Sequence, residues 1–121
     1  MEKYYIGLDG DSIGREVERL IISNEEEKLQ MFSYKITETI NDLSAYLIEK
    51  GINIIFAGGD SILAYGEINE ILITELLDMF EKKTKKTVSI GIGKTLSDVY
   101  LGLKLAKANG GNQFINYTKK I

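Results

Sequence analysis

Apolar residues recur along the chain with two periods, and the switches between them mark the elements. Lys3 to Asp9, Lys-Tyr-Tyr-Ile-Gly-Leu-Asp, reads as a short strand ending at Asp9. Gly10, Asp11 and Ser12 form a turn, with Ser12 placed as a helix N-cap. Ile13, Val17, Leu20 and Ile21 follow at helical spacing, and the polar stretch Ser23 to Glu27 breaks or restarts that helix. Leu29, Phe32, Ile36, Ile40, Leu43 and Leu47 form the longest stripe at three- and four-residue steps, which Gly51 is placed to stop. Ile52 to Ala57 predicts a buried strand, and Ser61 to Tyr65 a second one, joined as a hairpin through Gly58-Gly59-Asp60. Asn69 caps a helix carrying Ile71, Leu72, Leu76, Leu77 and Phe80. Thr87 to Gly93 alternates, with Val88, Ile90 and Ile92 on one face and Ser89, Gly91 and Gly93 on the other. Ser97 caps a helix from Asp98 to Asn109, closed by Gly110, and Gln113 to Tyr117 is a last short strand.

The order is β-α(α)-β-β-α-β-α-β, with one hairpin among helix-separated strands. It predicts an α+β, ferredoxin-like sandwich: an antiparallel or mixed sheet with helices on one face. At 121 residues the chain is expected to form a single domain over 1–121.

Composition narrows the chemistry. There is no Cys and no His, which excludes a thiolate nucleophile, a Ser-His-Asp triad and Cys- or His-ligated metals. The net charge of −3 argues against gripping duplex nucleic acid by bulk positive charge. No apolar run approaches the roughly 18 residues of a spanning helix. The N-terminus lacks a signal-peptide pattern, so a cytoplasmic protein without membrane contact is expected.

The topology brings two acids together. Strands one and two run in the same direction, so the end of strand one and the hairpin tip share an edge. Asp9 ends the strand, Asp60 sits at the tip, and Asp11 is expected close to both. Carboxylates that meet at one edge repel each other unless a cation intervenes, and a hard divalent ion is the natural one. The Gly10 carbonyl can turn toward such a metal, and Gly58 and Gly59 let the backbone pass close to a ligand. The amides of Ser12, Ile13 and Gly14 open a helix and suit a phosphate, with Lys107 as a counter-charge. Taken singly, Asp60 could be only a turn residue and Asp11-Ser12 only a cap. Their meeting at one edge favours function.

These segments resemble a known group. Leu8-Asp9-Gly10-Asp11-Ser12-Ile13-Gly14 resembles the first metal motif of palm-type nucleotide polymerases and cyclases, and Ile55-Phe56-Ala57-Gly58-Gly59-Asp60-Ser61 resembles their Gly-Gly-Asp hairpin. Val88 to Gly93 resembles the following strand, and Leu103 to Asn112 the closing helix with its Ala-Lys and Gly-x-Asn signature. The group includes GGDEF diguanylate cyclases, the palm domain of the large type III CRISPR subunit, and the stand-alone minimal CRISPR polymerases tied to anti-phage signalling. The short chain is most similar to the last of these.

The resemblance implies metal-dependent joining of nucleoside triphosphates into a cyclic di- or oligonucleotide, with release of pyrophosphate. It implies that Asp9 and Asp60 are catalytic and hold Mg²⁺ or Mn²⁺, helped by the Gly10 carbonyl. The nucleotide would be bound by Gly10, Asp11, Ser12, Ile13, Gly58, Gly59, Ser61 and Lys107. Three positions depart from the pattern. Ser61 replaces an acid, Gly111 stands where an arginine is common, and Val17 falls at the guanine-reading asparagine, which favours ATP. Closing a ring from two nucleotides implies a homodimer, and the product implies a downstream effector that senses it. The alternatives are a nucleotide-binding module without turnover and a GTP-hydrolysing cyclohydrolase on the same fold.

Overall fold

A computed structural model describes residues 2–119. The elements are β1 (Tyr4–Gly10), α1 (Ile13–Ile22), α2 (Glu26–Glu49), β2 (Asn53–Gly58), β3 (Ser61–Gly66), α3 (Glu70–Thr84), β4 (Val88–Gly93), α4 (Leu96–Ala108) and β5 (Phe114–Asn116), followed by a 3-10 turn (Tyr117–Lys119). The sheet runs β2-β3-β1-β4-β5. All pairings are antiparallel except β4 with β5, which is parallel, so the sheet is mixed. The fold is the α+β, ferredoxin-like arrangement expected from the element order. No helix among the described residues is long and apolar enough to cross a membrane.

One face of the sheet carries the main core. Ile6 and Leu8 of β1, Ile62 and Ala64 of β3, and Val88, Ile90 and Ile92 of β4 project toward α2 and α3. Ile36, Ile40, Leu43 and Leu47 meet them from α2, and Leu72, Ile73, Leu76 and Phe80 from α3. Each of these branched or aromatic side chains contributes roughly 1.5–3 kcal/mol by leaving water. The α2 stripe therefore serves as core, as its spacing predicts.

The opposite face corrects the expectation that all helices lie on one side. Gly7 pairs with Gly91 across β1 and β4, and Ser89, Gly91 and Gly93 are all buried. These small residues form a shallow trough, and α4 lies in it. A Cβ added at Gly91 would come within 2.4 Å of the Val99 carbonyl oxygen and 2.7 Å of the Leu103 amide nitrogen. Alternation makes Ser89, Gly91 and Gly93 look like a solvent face. Their lack of bulk instead admits a helix backbone.

α4 covers β1, β4 and β5 but not the hairpin strands. This explains a second difference. β2 lies at the sheet edge with a bulge at Ile55, and its Ile55 and Phe56 are exposed rather than buried. A strand needs helices over both faces to be buried throughout, and β2 has α2 over one face only. One cap differs as well. Thr95, not Ser97, caps α4 by accepting from the Asp98 amide, while Asn69 caps α3 as expected through the Leu72 amide.

The trough gives a direct test. Gly91→Ala forces a methyl group against the α4 backbone, which cannot yield as a side-chain tip would, and should cost at least about 1–3 kcal/mol. The urea unfolding midpoint measures it. An unchanged midpoint would show that α4 is not seated as described.

Candidate active site

β1 and β3 pair in a register that sets Asp9 opposite Ser61, and β1 and β4 set Asp9 opposite Ser89. The Gly10 amide donates to the Asp60 carbonyl oxygen at 3.1 Å, tying the hairpin tip to the end of β1. Asp9 and Asp60 thus meet at one edge, as the topology requires. The Asp60 carboxylate lies over Gly10, where an added Cβ would be 3.1 Å from Oδ2. Gly58 ends β2, and Gly59 supplies the left-handed turn position at φ 57°.

Asp11 turns the other way. Its Oδ2 accepts from Thr87 Oγ1 at 2.7 Å and from the Asn112 amide at 2.8 Å. Its Oδ1 accepts from Ser89 Oγ at 2.6 Å and from Lys107 Nζ at 3.1 Å. Partial burial pushes its pKa up, but the bonds from Ser89, Thr87, Asn112 and Lys107 outweigh that and hold the carboxyl below its ordinary value. The residue therefore stitches the end of β1 to the start of β4 and to the loop after α4. Gly111 is part of this stitch, because a Cβ there would come within 2.7 Å of the Asp11 carboxylate. An arginine at Gly111 would strike it.

Asp11 still neighbours Asp9, because both carboxylates bond to Lys107. Among the described residues no three acidic side chains gather to hold a metal ion. Asp9 is itself engaged on both oxygens. Ser61 Oγ donates to Oδ1 at 2.5 Å, and Lys107 Nζ lies 3.1 Å from Oδ2. Lys107 also donates to the Gly10 carbonyl oxygen at 2.8 Å. Burial alone would lower the Lys107 pKa, but bonds to Asp11 and Asp9 raise it, so the ammonium is firmly charged.

Asp60 is the exception. No ion pair among the described residues involves it, and Ser61 Oγ is a distant 3.5 Å from its Oδ1. Partial burial, and then the negative charge of Asp9, push its pKa up. An uncompensated carboxylate facing a second one, beside a backbone carbonyl, is an all-oxygen donor set that fits a hard divalent cation.

Ser12 begins α1 at φ 62° and makes no side-chain cap, contrary to its expected capping role. The left-handed turn lets Asp11 point toward β4 while α1 departs from the sheet, and costs about 1–2 kcal/mol. Ile13 is buried beneath it as part of the core. Ser12, Gly14, Arg15, Lys107, Gly110 and Gly111 border a polar cleft of about 560 Å³, together with the acids Asp11 and Glu18. On the α4 side of the sheet, Phe56, Leu63, Tyr100 and Leu103 wall an apolar cavity of about 410 Å³ that reaches Asp9, Ser61 and Lys107. A smaller cavity of about 290 Å³, walled by Val17, Phe32, Ser33 and Thr37, reaches Gly59 and Asp60 from the other side.

Sequence reasoning passed over Thr87, Ser89, Asn112 and Arg15. Ser89 carried a signal: a hydroxyl in a strand otherwise made of valine, isoleucine and glycine must find a partner if it is buried.

A family model for the minimal CRISPR polymerase domain matches residues 5–117. Among solved structures, one chain of a Csm1–Csm4 cassette in complex with cA4 superposes with a TM-score of 0.65 at 22% identity. The match covers 90% of this chain and 20% of that one, so this chain spans about a fifth of its length. At that identity the likeness concerns the fold. No curated protein matches the chain.

The Asp11 bonds yield a prediction with a defined pH window. The folded pKa lies below the unfolded 3.8, so the stabilisation is present above 3.8 and is lost as pH falls through the folded value. Asp11→Asn should cost about 2 kcal/mol at neutral pH. Its deficit should shrink below pH 3.8. A deficit that persists unchanged into strong acid would mean that shape, not charge, is what Asp11 contributes.

Proposed function

The chain belongs to the minimal CRISPR polymerase family, and on that footing we propose that it is a nucleotidyltransferase. It would join nucleoside triphosphates, ATP first among them, into a cyclic di- or oligonucleotide with release of pyrophosphate. The observation that carries this reading is the Asp9–Asp60 pair, in which Asp60 has no cationic partner, set between a polar cleft and two apolar cavities. Those surroundings match the parts of a nucleotide: phosphates for the cleft, flat bases for the cavities.

Asp9, Asp60 and the Gly10 carbonyl would hold Mg²⁺ or Mn²⁺. Bound there, the metal supplies a lowered pKa for a ribose hydroxyl and stabilisation of charge on the leaving pyrophosphate. Ser61 fixes the orientation of Asp9 by donating to Oδ1, which leaves Oδ2 to face the ligand. Asp11 acts at one remove by holding β1, β4 and the loop after α4 in register. Val17 lines the smaller cavity without a hydrogen-bonding group, where the resemblance expects a guanine-reading asparagine, and this supports a base other than guanine. One pair of acids serves one transfer at a time. Joining two nucleotides into a ring is therefore assigned to two copies facing each other, with the product read by a separate effector in anti-phage defence.

The test is incubation with Mg²⁺ or Mn²⁺ and each triphosphate, with products resolved by mass spectrometry and pyrophosphate followed. A cyclic adenylate is expected, and no pyrophosphate from any triphosphate or mixture would overturn the proposal. Asp60→Asn should lower turnover by at least about a hundredfold, since several kcal/mol of charge stabilisation depend on it. The same variant should be more stable than the parent at neutral pH without metal. The folded Asp60 pKa is raised, so the cost of ionising it appears as pH climbs above 3.8 and is full above the folded value. The melting-temperature gain should vanish below pH 3.8.

A further inference from the structure

The oxygens assigned to the metal already surround a cation. Lys107 Nζ lies 2.8 Å from the Gly10 carbonyl oxygen, 3.1 Å from Asp9 Oδ2, 3.1 Å from Asp11 Oδ1 and 3.3 Å from the Asp9 carbonyl oxygen. Two of these, Asp9 Oδ2 and Gly10 O, are donors that the metal reading also requires. An ammonium has three protons to donate, and four oxygens use them fully. A magnesium ion bonds oxygen at about 2.0–2.1 Å. On the same two oxygens it would sit against the ammonium, too close for two cations to share the place.

We propose that Lys107 is a built-in counter-ion of this site. It holds Asp9 Oδ2 and the Gly10 carbonyl while no substrate is bound, and gives them up when a divalent cation and a triphosphate arrive together. The geometry shows where it would go. Lys107 lies at the junction of the apolar cavity beside Asp9 and the polar cleft that Ser12, Gly14 and Arg15 border. Rotation about its four-carbon stem carries the ammonium off Asp9 and the Gly10 carbonyl toward phosphates in that cleft, which Asp11 and Glu18 also line, without movement of α4. Metal and nucleotide then help each other: phosphates offer the displaced ammonium a new partner, and its departure frees the metal's ligands. Reciprocity requires that each tighten the binding of the other by the same factor. The device also weakens the uptake of divalent ions by the bare site, because the lysine competes with them for the same oxygens.

This inference rests on the metal assignment above, but its test needs no turnover. Mn²⁺ binding is measured by electron paramagnetic resonance, without nucleotide, on the parent and on Lys107→Met. The variant should bind Mn²⁺ about tenfold more tightly, within the roughly 5–150-fold range of such couplings. Equal or weaker binding, or no binding by either protein at millimolar Mn²⁺, overturns the proposal. Because removing Lys107 leaves acids unpaired and could disturb the fold, the parent protein supplies a second reading. The Lys107 ammonium should give a protected nitrogen-15 signal that Mg²⁺ with a non-hydrolysable triphosphate abolishes or shifts. A signal unchanged at saturation overturns it too. Ion exchange without any pyrophosphate release would sink the proposed reaction and leave this inference standing. Pyrophosphate release with no exchange would do the reverse.

Discussion

The geometry of the edge where Asp9 and Asp60 meet depends on how closely α4 can approach β1 and β4. Backbone-to-backbone contact is possible because Gly91 on β4 and Gly102 on α4 present no side chain to each other, while Gly7, opposite Gly91, leaves room for the Val99 and Leu103 side chains. With α4 seated, Lys107 in its last turn stands over the end of β1, and the loop after it brings the Asn112 amide to Asp11. A helix held a few ångström further out would leave both contacts unmade. Side-chain volume at two strand positions thus governs distances at residues near the end of the chain.

Charge is distributed unevenly around that edge. Asp11 is saturated by two hydroxyls, an amide and the ammonium, and it behaves as part of the scaffold. Asp9 is half scaffold and half site, with one oxygen fixed by Ser61 and the other held by Lys107. Asp60 has no ion pair among the described residues, and burial and the charge of Asp9 outweigh what the more distant Lys107 and Ser61 offer it. A buried or crowded charge without a partner costs stability, and functional sites are where such costs are tolerated.

Much of this was legible from the residues. The period switches locate every strand and helix, and the parallel run of strand one and strand two is enough to put Asp9 beside Asp60. What could not be read follows from properties of single positions. Ser89, Gly91 and Gly93 alternate with apolar residues as a solvent face would, and only the paired glycine on β1 turns that face into a helix seat. Ile52 to Ala57 has the composition of a buried strand, but burial depends on being covered, and the edge position of β2 is a property of the sheet order. Asp11 was grouped with the other acids by proximity in sequence. The left-handed turn at Ser12 and the hydroxyls of Thr87 and Ser89 send its side chain elsewhere.

The partial cover of the sheet divides the molecule by mutational tolerance. Over β1, β4 and β5, a side chain added at Gly91 or Gly93 would strike α4 and push on the edge that holds Asp9. Over β2 and β3 the same face lies open, and Phe56 can change size without pushing on another element. Changes of shape are therefore tolerated in the open half, beside the cavity that touches Asp9. The surface next to Asp9 can be remodelled there while the α4 side of the same edge stays fixed.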